Sequence, residues 1–373
     1  ALAGSNVERQ EYLEAPRGKI LDSKGRILAE NAPAFALQLA VRPYLTASEE
    51  ERSSVLSFLE RDFEIDREEL SETIRIHVAR ERGEPLTLLR GLTEAQVVQL
   101  ESHTYPGVQV AAGYVRNYPY AENASAVLGY TGAVSSEDLA EDKSLLPLDV
   151  IGRQGIESTY DEALRGRFGE KLQPRNARGD VMGDERIVSP KPGNDLTLTI
   201  DAELQKYFTE RLRDQLTSLG RTSGAGLILD PRTGAIRALV SLPTYDPNAF
   251  NDPARSEERL AYLTDENRPL YNRIIAGVFT PGSTIKPLHA LATLVEKVVP
   301  PEWSIFSPGY LDIPNPYNPS KPTRYVDWRF QGHVNVRSAI AQSSNVYFYA
   351  VGGGTGGLKG LGITRLFSWW ERF

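Results

Sequence analysis

The stretch TPGSTIK, residues 280–286, decides how the rest of the sequence is interpreted. Ser283 and Lys286 are three positions apart at the head of an apolar run, so we expect them on one face of a helix start. Serine becomes a good nucleophile only when a base removes its proton, and lysine can be that base when burial lowers its pKa. By itself, this spacing is explained more often by a capping serine and a solvated lysine.

A second polar cluster, SSN at residues 343–345, follows a short helix predicted over 336–343. The hydroxyl of Ser343 can relay a proton between Lys286 and a leaving amine. The amide of Asn345 has donors and an acceptor, which is enough to contact both the lysine and a substrate amide. Alone, the cluster is typical of a helix end. Together, the two clusters belong to a set of serine acyl-transfer motifs whose third member is Lys-Thr/Ser-Gly.

Composition excludes several other classes of protein. The chain has 373 residues, 42 Lys and Arg against 49 Asp and Glu, four His and no Cys. Its length predicts two or three domains. A net charge of -7 disfavours a general nucleic-acid binder, which needs a surplus of Lys and Arg. The absence of Cys excludes disulfides, thiolate metal sites and cysteine nucleophiles. We expect neither a cofactor nor a metal.

Three weaker signals compete with this interpretation. The glycines of residues 352–357 fit G-x-G-x-x-G, but the chain leaves no room for the βαβ unit of a dinucleotide site. Asp327 and His333 could ligate a metal, although a loop hydrogen bond is the favoured role in a chain without cysteine. His289 lies one turn after Lys286, and a histidine on a helix face is more often structural.

Periodicity and turn residues give a coarse secondary structure. We predict a domain boundary at 189–195. Two apolar strands flank the turn at residues 230–234, and we expect them to form a hairpin with both faces covered. Asp201 and Asn335 are predicted N-caps. The other predicted elements are a hairpin over 20–29, strands over 34–41 and 196–200, a helical stretch over 48–82, helices over 93–101, 156–164, 202–219 and 283–298, strand and turn segments over 107–134, and a long loop over 299–334.

The motifs taken together resemble the penicilloyl-serine transferases, and the N-terminal half narrows the resemblance to class B penicillin-binding proteins. Around residues 343–370 the chain is most similar to the elongation-type members. The resemblance covers almost the whole chain in order. Its further segments are RGKILD (17–22) with GRILA (25–29), RNYP (116–119) with VLGY (127–130), GRQGIE (152–157) with Tyr160 and LRG (164–166), the turn 230–234, and SLP (241–243) with DPN (246–248).

The resemblance implies an α+β fold in two domains. Residues 1–190 would form an elongated, β-rich, non-catalytic pedestal of the dimerisation type. Residues 191–373 would form the N-terminal part of a transpeptidase domain, the β-lactamase-like α/β/α fold, with its last strands missing.

The resemblance also implies a function, that of a peptidoglycan D,D-transpeptidase which β-lactams inhibit. Ser283 would attack the penultimate D-Ala carbonyl of a stem peptide, with Lys286 as general base, Ser343 as proton relay and Asn345 as a contact to substrate and lysine. An amine from a second stem peptide would then take the acyl group. The alternatives are a D-Ala-D-Ala carboxypeptidase, a β-lactamase, and a non-enzymatic β-lactam sensor or scaffold.

Partners and location follow from the same resemblance. We expect stem peptides and β-lactams as ligands, and a SEDS-family membrane glycosyltransferase and elongation scaffold proteins as partners. We expect no nucleic acid. Members of the family are tethered by an N-terminal transmembrane helix, so the expected location is the extracytoplasmic face of the cell membrane, with the tether absent from these residues.

One departure from the family pattern is serious, because Lys-Thr-Gly and Lys-Ser-Gly occur nowhere in the sequence. In the family that motif lies on the third strand of the sheet. We therefore expect a C-terminally truncated class B chain with an exposed apolar hairpin edge. It would lack one oxyanion donor, a loss of roughly 10²–10³-fold in rate, and would be weakly active or inactive.

Overall fold

The computed structural model describes residues 7–79, 85–146, 149–175, 185–315 and 317–373. The chain folds into two compact units, a first unit Ala1–Gly277 and a second unit Val278–Phe373. Among the described residues, no helix combines the length and apolar character needed to cross a membrane.

The first unit is mixed α and β. Its strands are β1 (Val7–Leu13), β2 (Ile20–Leu21), β3 (Ile27–Leu39), β4 (Leu86–Leu92), β5 (Val108–Asn117), β6 (Thr131–Ala133), β7 (Val150–Gly152), β8 (Gly169–Arg175), β9 (Arg186–Val188), β10 (Leu196–Thr197), β11 (Gly224–Leu229) and β12 (Ile236–Leu242). Its helices are α1 (Val41–Thr46), α2 (Glu49–Phe63), α3 (Arg67–Ala79), α4 (Glu94–Glu101), α5 (Ser125–Leu128), α6 (Ser136–Glu141), α7 (Gly155–Thr159), α8 (Asp161–Leu164), α9 (Ala202–Ser218) and α10 (Ser256–Thr264).

Strand β3 organises the central sheet of the first unit. It pairs antiparallel with β2, β4 and β5, and β10 joins β2 in parallel. The hairpin predicted over 20–29 is confirmed, with Ile20 opposite Ala29. Its turn uses Gly25 at φ 79°, a region that glycine enters without steric cost. The predicted strand 196–200 is shorter in the structure, where β10 has two residues.

The helical stretch predicted over 48–82 forms two helices, α2 and α3, with residues 80–82 outside the described residues, and the helix predicted over 93–101 forms as α4. Ser48 and Thr93 each accept a hydrogen bond from the backbone N–H three residues on, and both caps form complete capping boxes. The apolar stripe of α2 packs into a core with strands β3 and β4, where Val55 and Leu59 are fully buried. Local sequence therefore determines where these helices begin, and burial of one face holds them in place.

Three segments that are far apart in the sequence meet at one buried carboxylate. Glu157 is fully buried and accepts hydrogen bonds from Arg17 Nε and Arg116 Nε, each at 2.7 Å. Arg17 also contacts Asp161 at 2.7 Å. The family-like segments around residues 17, 116 and 157 are thus joined by one buried ionic network, in which each charge has an opposite partner.

The start of α9 is fixed by two carboxylates. Asp201 accepts from the backbone N–H of Glu203 and Leu204, which confirms it as the N-cap. Asp22, fully buried, accepts from the N–H of Ala202 at 3.0 Å and from Arg26 at 2.8 Å. The β2–β3 turn is therefore tied to the helix through charge-assisted hydrogen bonds.

Acid is expected to loosen this link. Burial raises the pKa of Asp22, but bonds from Ala202, Arg26 and Lys24 outweigh it and lower the pKa from 3.8 to about 2. Because the folded pKa is depressed, the stabilisation is complete above pH 4 and is lost as the pH falls toward 2. We expect Asp22→Asn to unfold at a lower temperature at pH 6 and to flatten the pH dependence between 4 and 2 in thermal scans. An unchanged pH profile in this variant would contradict the assignment.

The apolar hairpin β11–β12 is confirmed, but the prediction that both of its faces are covered is wrong. Leu227 and Leu229 are 41% and 50% exposed. Helix α9 covers the other face, where a Cβ on Gly226 would lie 2.4 Å from the Phe208 ring. Among the described residues the two strands form a sheet of their own. The near-continuous apolar sequence did not reveal that one face would stay open.

The described part of the second unit contains four strands and four α-helices. The strands are β13 (Ser304–Ser307), β14 (Tyr310–Asn315), β15 (Asn318–Val326) and β16 (Gly332–Asn335), and the helices are α11 (Lys286–Val295), α12 (Val336–Ala341), α13 (Asn345–Gly353) and α14 (Gly362–Trp370). Helices α11, α12 and α13 share a core that includes Ala290, Ala339 and Val351.

The prediction of a loop over 299–334 is wrong. The structure has two antiparallel strand pairs in this segment, β13–β16 and β14–β15. The prediction failed because proline is a strong loop signal. Pro314 and Pro322 lie inside strands. A two-stranded ribbon leaves its outer N–H groups unpaired, so proline on an edge strand removes no ladder hydrogen bond.

Candidate active site

Ser283 lies in a short 3₁₀ turn, Gly282–Ile285, that leads into α11. Gly282 has φ 56°, which lets the chain enter the turn. Ser283 is exposed, whereas Lys286 is 8% exposed. The helix predicted over 283–298 is thus present, although it starts as a 3₁₀ turn and α11 ends at Val295. A solvent-accessible hydroxyl therefore stands one turn before a buried amine.

Ser343 lies in the short link between α12 and α13. Asn335 caps α12 as predicted, by accepting from the N–H of Ser338. Ser344 caps α13 by accepting from the N–H of Tyr347. Ser343 itself has φ 54°, a conformation that costs energy in a residue with a Cβ and that is concentrated at functional sites. The tight link directs Ser343 and Asn345 to the same place.

The structure brings all four sequence-predicted site residues together in one hydrogen-bonded chain. Ser343 Oγ donates to Ser283 Oγ at 2.9 Å. Lys286 Nζ donates to Ser343 Oγ at 3.1 Å, to the Ser343 carbonyl at 2.8 Å and to Asn345 Oδ1 at 2.6 Å. These contacts satisfy all three donors of an ammonium group. A proton path thus connects the exposed serine with the buried lysine.

The electrostatic setting of Lys286 favours its neutral form more than water does. Burial lowers the pKa of the ammonium, and the negative charge of Asp327 opposes that effect. The Phe348 ring lies 5.7 Å from Nζ, within cation–π range, and like Asp327 it favours the charged form. A lysine with a lowered pKa can serve as a base closer to neutral pH.

Asp327 supports the site in a way that sequence reasoning missed. One of its carboxylate oxygens, Oδ2, accepts from Ser344 Oγ at 3.1 Å and from the backbone N–H of Asn345 and Val346 at 2.8 and 3.0 Å. A carboxylate at the first turn of α13 also complements the helix dipole. Asp327 therefore fixes the helix start that carries Asn345. It comes from the end of β15, so no local pattern signals the contact.

The same segment also holds the link before Ser343. The Gln342 carbonyl accepts from Trp328 Nε1 and Gln331 Nε2, both at 3.2 Å. Two side chains from the β15–β16 connection thus restrain the residue that precedes Ser343. These bonds help to hold the strained backbone of the link in place. A strained conformation persists only when the surrounding structure holds it in this way.

The remaining sequence signals have structural explanations. Asp327 binds the start of α13, as described above, and no cluster of three or more metal-ligating side chains occurs among the described residues. His289 lies outside the hydrogen-bonded chain and stacks on Trp370 with ring centroids 5.5 Å apart. The glycines at 352–357 lie at and after the end of helix α13, with Gly354 at φ 92°. They therefore do not form a strand-to-helix phosphate loop.

Comparison with known proteins places the chain in a family. Residues 12–198 match the penicillin-binding protein dimerisation domain, and residues 224–373 match the penicillin-binding protein transpeptidase domain. The peptidoglycan D,D-transpeptidase MrdA of Haemophilus influenzae is 34% identical over 99% of this chain and 55% of its own length. MrdA of Escherichia coli K12 is 32% identical over 96% of this chain and 54% of its own.

A solved structure has the same fold. In the complex between penicillin-binding protein PBP2 and MreC from Helicobacter pylori, the matched chain has a TM-score of 0.71 and 23% identity, covering 98% of this chain and 65% of that one. The chain spans about half the length of the curated relatives it matches. With a dimerisation domain followed by transpeptidase-domain sequence, the chain belongs to the penicillin-binding protein family.

Proposed function

We propose that the protein carrying this sequence is a peptidoglycan D,D-transpeptidase that cross-links stem peptides through an acyl-enzyme on Ser283 and is inhibited by β-lactams. The observation that carries the proposal is the hydrogen-bonded chain from Ser283 through Ser343 to Lys286 and Asn345. The MrdA relatives, which are named for this activity, support it.

The geometry suggests how the proton would move. With Lys286 neutral, Ser343 passes its proton to Nζ and takes the proton of Ser283, whose Oγ attacks the penultimate D-Ala carbonyl. The backbone N–H of Ser283 lies at the start of the 3₁₀ turn that begins at Gly282, where an N–H has no partner within the turn, so it can stabilise the oxyanion. When the tetrahedral intermediate collapses, Ser343 returns a proton to the departing D-Ala nitrogen. Asn345 would hold the lysine and a substrate amide.

The second half of the reaction distinguishes the alternatives. A transpeptidase transfers the acyl group from Ser283 to an amine and restores the serine hydroxyl, whereas a carboxypeptidase transfers it to water. We expect a stem-peptide thioester or ester mimic, incubated with a D-amino acid as acceptor, to give the amide as the main product by mass spectrometry. Hydrolysis alone at high acceptor concentration would favour the carboxypeptidase. If there is no turnover and penicillin does not label Ser283, the result would favour a non-enzymatic scaffold.

Replacing Asp327 with asparagine tests the electrostatics of the base. The substitution keeps the size of the side chain but removes the charge that raises the pKa of Lys286. The pKa of the lysine should therefore fall further. In a plot of acylation rate against pH, the rise in rate should then occur at a lower pH. Penicillin acylation measured between pH 5 and 10 checks this, with the exposed Asp214→Asn as control. An unshifted limb would show that Asp327 acts on the fold alone.

The 373 residues by themselves are proposed to acylate weakly. Their sequence contains no Lys-Thr-Gly or Lys-Ser-Gly, the motif that supplies a second oxyanion donor in the family that the chain resembles. The comparison to make is penicillin labelling of the 373-residue chain against the full gene product. Equal rates in the two would overturn this proposal.

Partners, location and domain boundary are also proposals. The Helicobacter pylori PBP2 structure is a complex with MreC, which supports an elongation scaffold partner here. The resemblance supports a SEDS glycosyltransferase and a tethered protein at the extracytoplasmic face of the membrane. We propose that the pedestal and the transpeptidase domain meet near residue 190. Cross-linking in cells, fractionation and limited proteolysis test these points, and a purely cytosolic protein or cleavage only far from residue 190 would contradict them.

A further inference from the structure

Strand β5 lies at an edge of the central sheet of the first unit. It pairs with β3 along its whole length and without a register shift. In the described part of the chain, no other strand pairs with β5, and no backbone-to-backbone hydrogen bond outside the β3 ladder engages residues 109–117. Arg90 Nη1 reaches the Tyr114 carbonyl at 3.5 Å, and Asn251 Nδ2 reaches the Arg116 carbonyl at 3.4 Å. The rest of this backbone edge is available to another chain.

The free edge of β5 lacks the features that usually stop an edge strand from pairing with another chain. The sequence of residues 108–115 is VQVAAGYV, without a charged residue or a proline. The edge strand β1, in contrast, carries Glu8, Arg9 and Glu11. Natural proteins protect open edges with charges, prolines and bulges. An edge without this protection is expected to have an occupant.

Exposed apolar side chains lie beside this edge. Ala112 is opposite Phe35 of β3, and Tyr114 is opposite Pro33. Residues two positions apart on a strand share a face, and so do residues opposite each other on paired strands, so these four side chains lie together. All four are exposed, with Phe35 at 48% and Tyr114 at 38%. The open edge therefore continues into an apolar patch on the sheet, a feature that marks interaction surfaces.

We propose that two copies of this chain associate by pairing their free β5 edges as antiparallel strands, which extends the central sheet across both copies. Strand addition to an open edge is a recurrent mode of recognition, in which backbone hydrogen bonds provide the affinity. Two identical strands paired in this way are related by a twofold axis. With the axis at Ala112, each Ala112 faces its equivalent, and Val110 lies opposite Tyr114 of the second copy. A cross-strand pair of an aromatic and a β-branched side chain is favourable.

Two features of the chain indicate a second copy as the occupant. The uncharged strand is complementary to itself, because antiparallel pairing brings no like charges together. Strand β5 also lies within residues 12–198, the region that matches the dimerisation domain. A contact of one strand from each copy is small compared with stable interfaces, which bury about 1,200–2,000 Å². The dimer should therefore be reversible and should form as the protein concentration rises.

Sedimentation velocity of the purified 373-residue protein over a range of concentrations measures this association. We expect a shift from monomer to dimer as the concentration rises. Hydrogen exchange followed by mass spectrometry identifies the surface, since backbone N–H groups that gain a hydrogen bond exchange more slowly. Exchange of residues 108–115 should slow with concentration, whereas exchange of β1 should not change. A monomer at every concentration up to the solubility limit would overturn the proposal.

Ala112→Lys tests the pairing itself, because Ala112 is exposed and its replacement should leave the fold intact. Two lysines would then lie opposite each other, so we expect the dimer to be lost. Ala112→Glu should be monomeric for the same reason, but an equal mixture of the two variants should dimerise, because the opposing charges then attract. Ala140→Lys, at an exposed position on α6, is the control and should dimerise like the wild type. A dimer that persists in Ala112→Lys, or a mixture that stays monomeric, would contradict pairing through β5.

Discussion

Replacing Lys286 with alanine is expected to slow acylation of Ser283 by a penicillin by roughly 10²–10⁴-fold, the usual contribution of a positioned general base. Nζ is the one basic atom in the hydrogen-bonded chain that reaches Ser283 through Ser343. Without it the serine proton has no acceptor, and Asn345 loses its lysine contact. The rate constant for labelling with a fluorescent penicillin, measured over time, checks this expectation.

The matched control is Lys206→Ala, which makes the same change at an exposed lysine on α9. Its labelling rate should equal that of the wild type. Circular dichroism should show that both variants keep their helix content. Labelling of Lys286→Ala at the wild-type rate would mean that another group removes the Ser283 proton.

The largest effect on stability is expected from Glu157→Gln. This carboxylate is fully buried between Arg17 and Arg116, so its neutralisation removes the ion-pair partner of Arg116 and leaves Arg17 with Asp161 alone. Breaking a buried ion pair by removal of one partner costs about 3–5 kcal/mol. We expect the thermal midpoint of the first unit to fall by roughly 10 °C, as measured by differential scanning calorimetry.

Glu162→Gln is the control for that experiment. It makes the same substitution on α8, at an exposed position. Its thermal midpoint should change by less than about 2 °C, because surface substitutions usually alter stability by no more than about 0.5 kcal/mol. Equal midpoints for the two variants would show that the Arg17–Glu157–Arg116 network does not hold the first unit together.

Sequence was most informative where the chemistry is local. Ser283 and Lys286 share a helix start, and Asn335 and Asp201 cap the helices expected of them. These arrangements depend on residues a few positions apart, so spacing alone predicts them. The two motifs together predicted that Ser343 lies near Lys286, and the structure places Lys286 Nζ within hydrogen-bonding distance of Ser343 Oγ.

Contacts that depend on distant segments were beyond sequence reasoning. Asp327 supports the start of α13 from the end of β15, and only the tertiary fold brings that carboxylate to the N–H of Asn345. The strands over 304–335 were hidden by prolines, which edge strands tolerate. The exposure of Leu227 and Leu229 could not be predicted either. An apolar strand sequence indicates burial whether or not another element covers the strand.

The assignment of Ser283 as the nucleophile is tested by locating the penicillin adduct on the chain. The full gene product is incubated with penicillin, digested with protease and analysed by tandem mass spectrometry. We expect one penicilloyl group per chain, attached to the peptide that contains Ser283, and no adduct in Ser283→Ala. A stable adduct on any other residue, or undiminished labelling of Ser283→Ala, would contradict it.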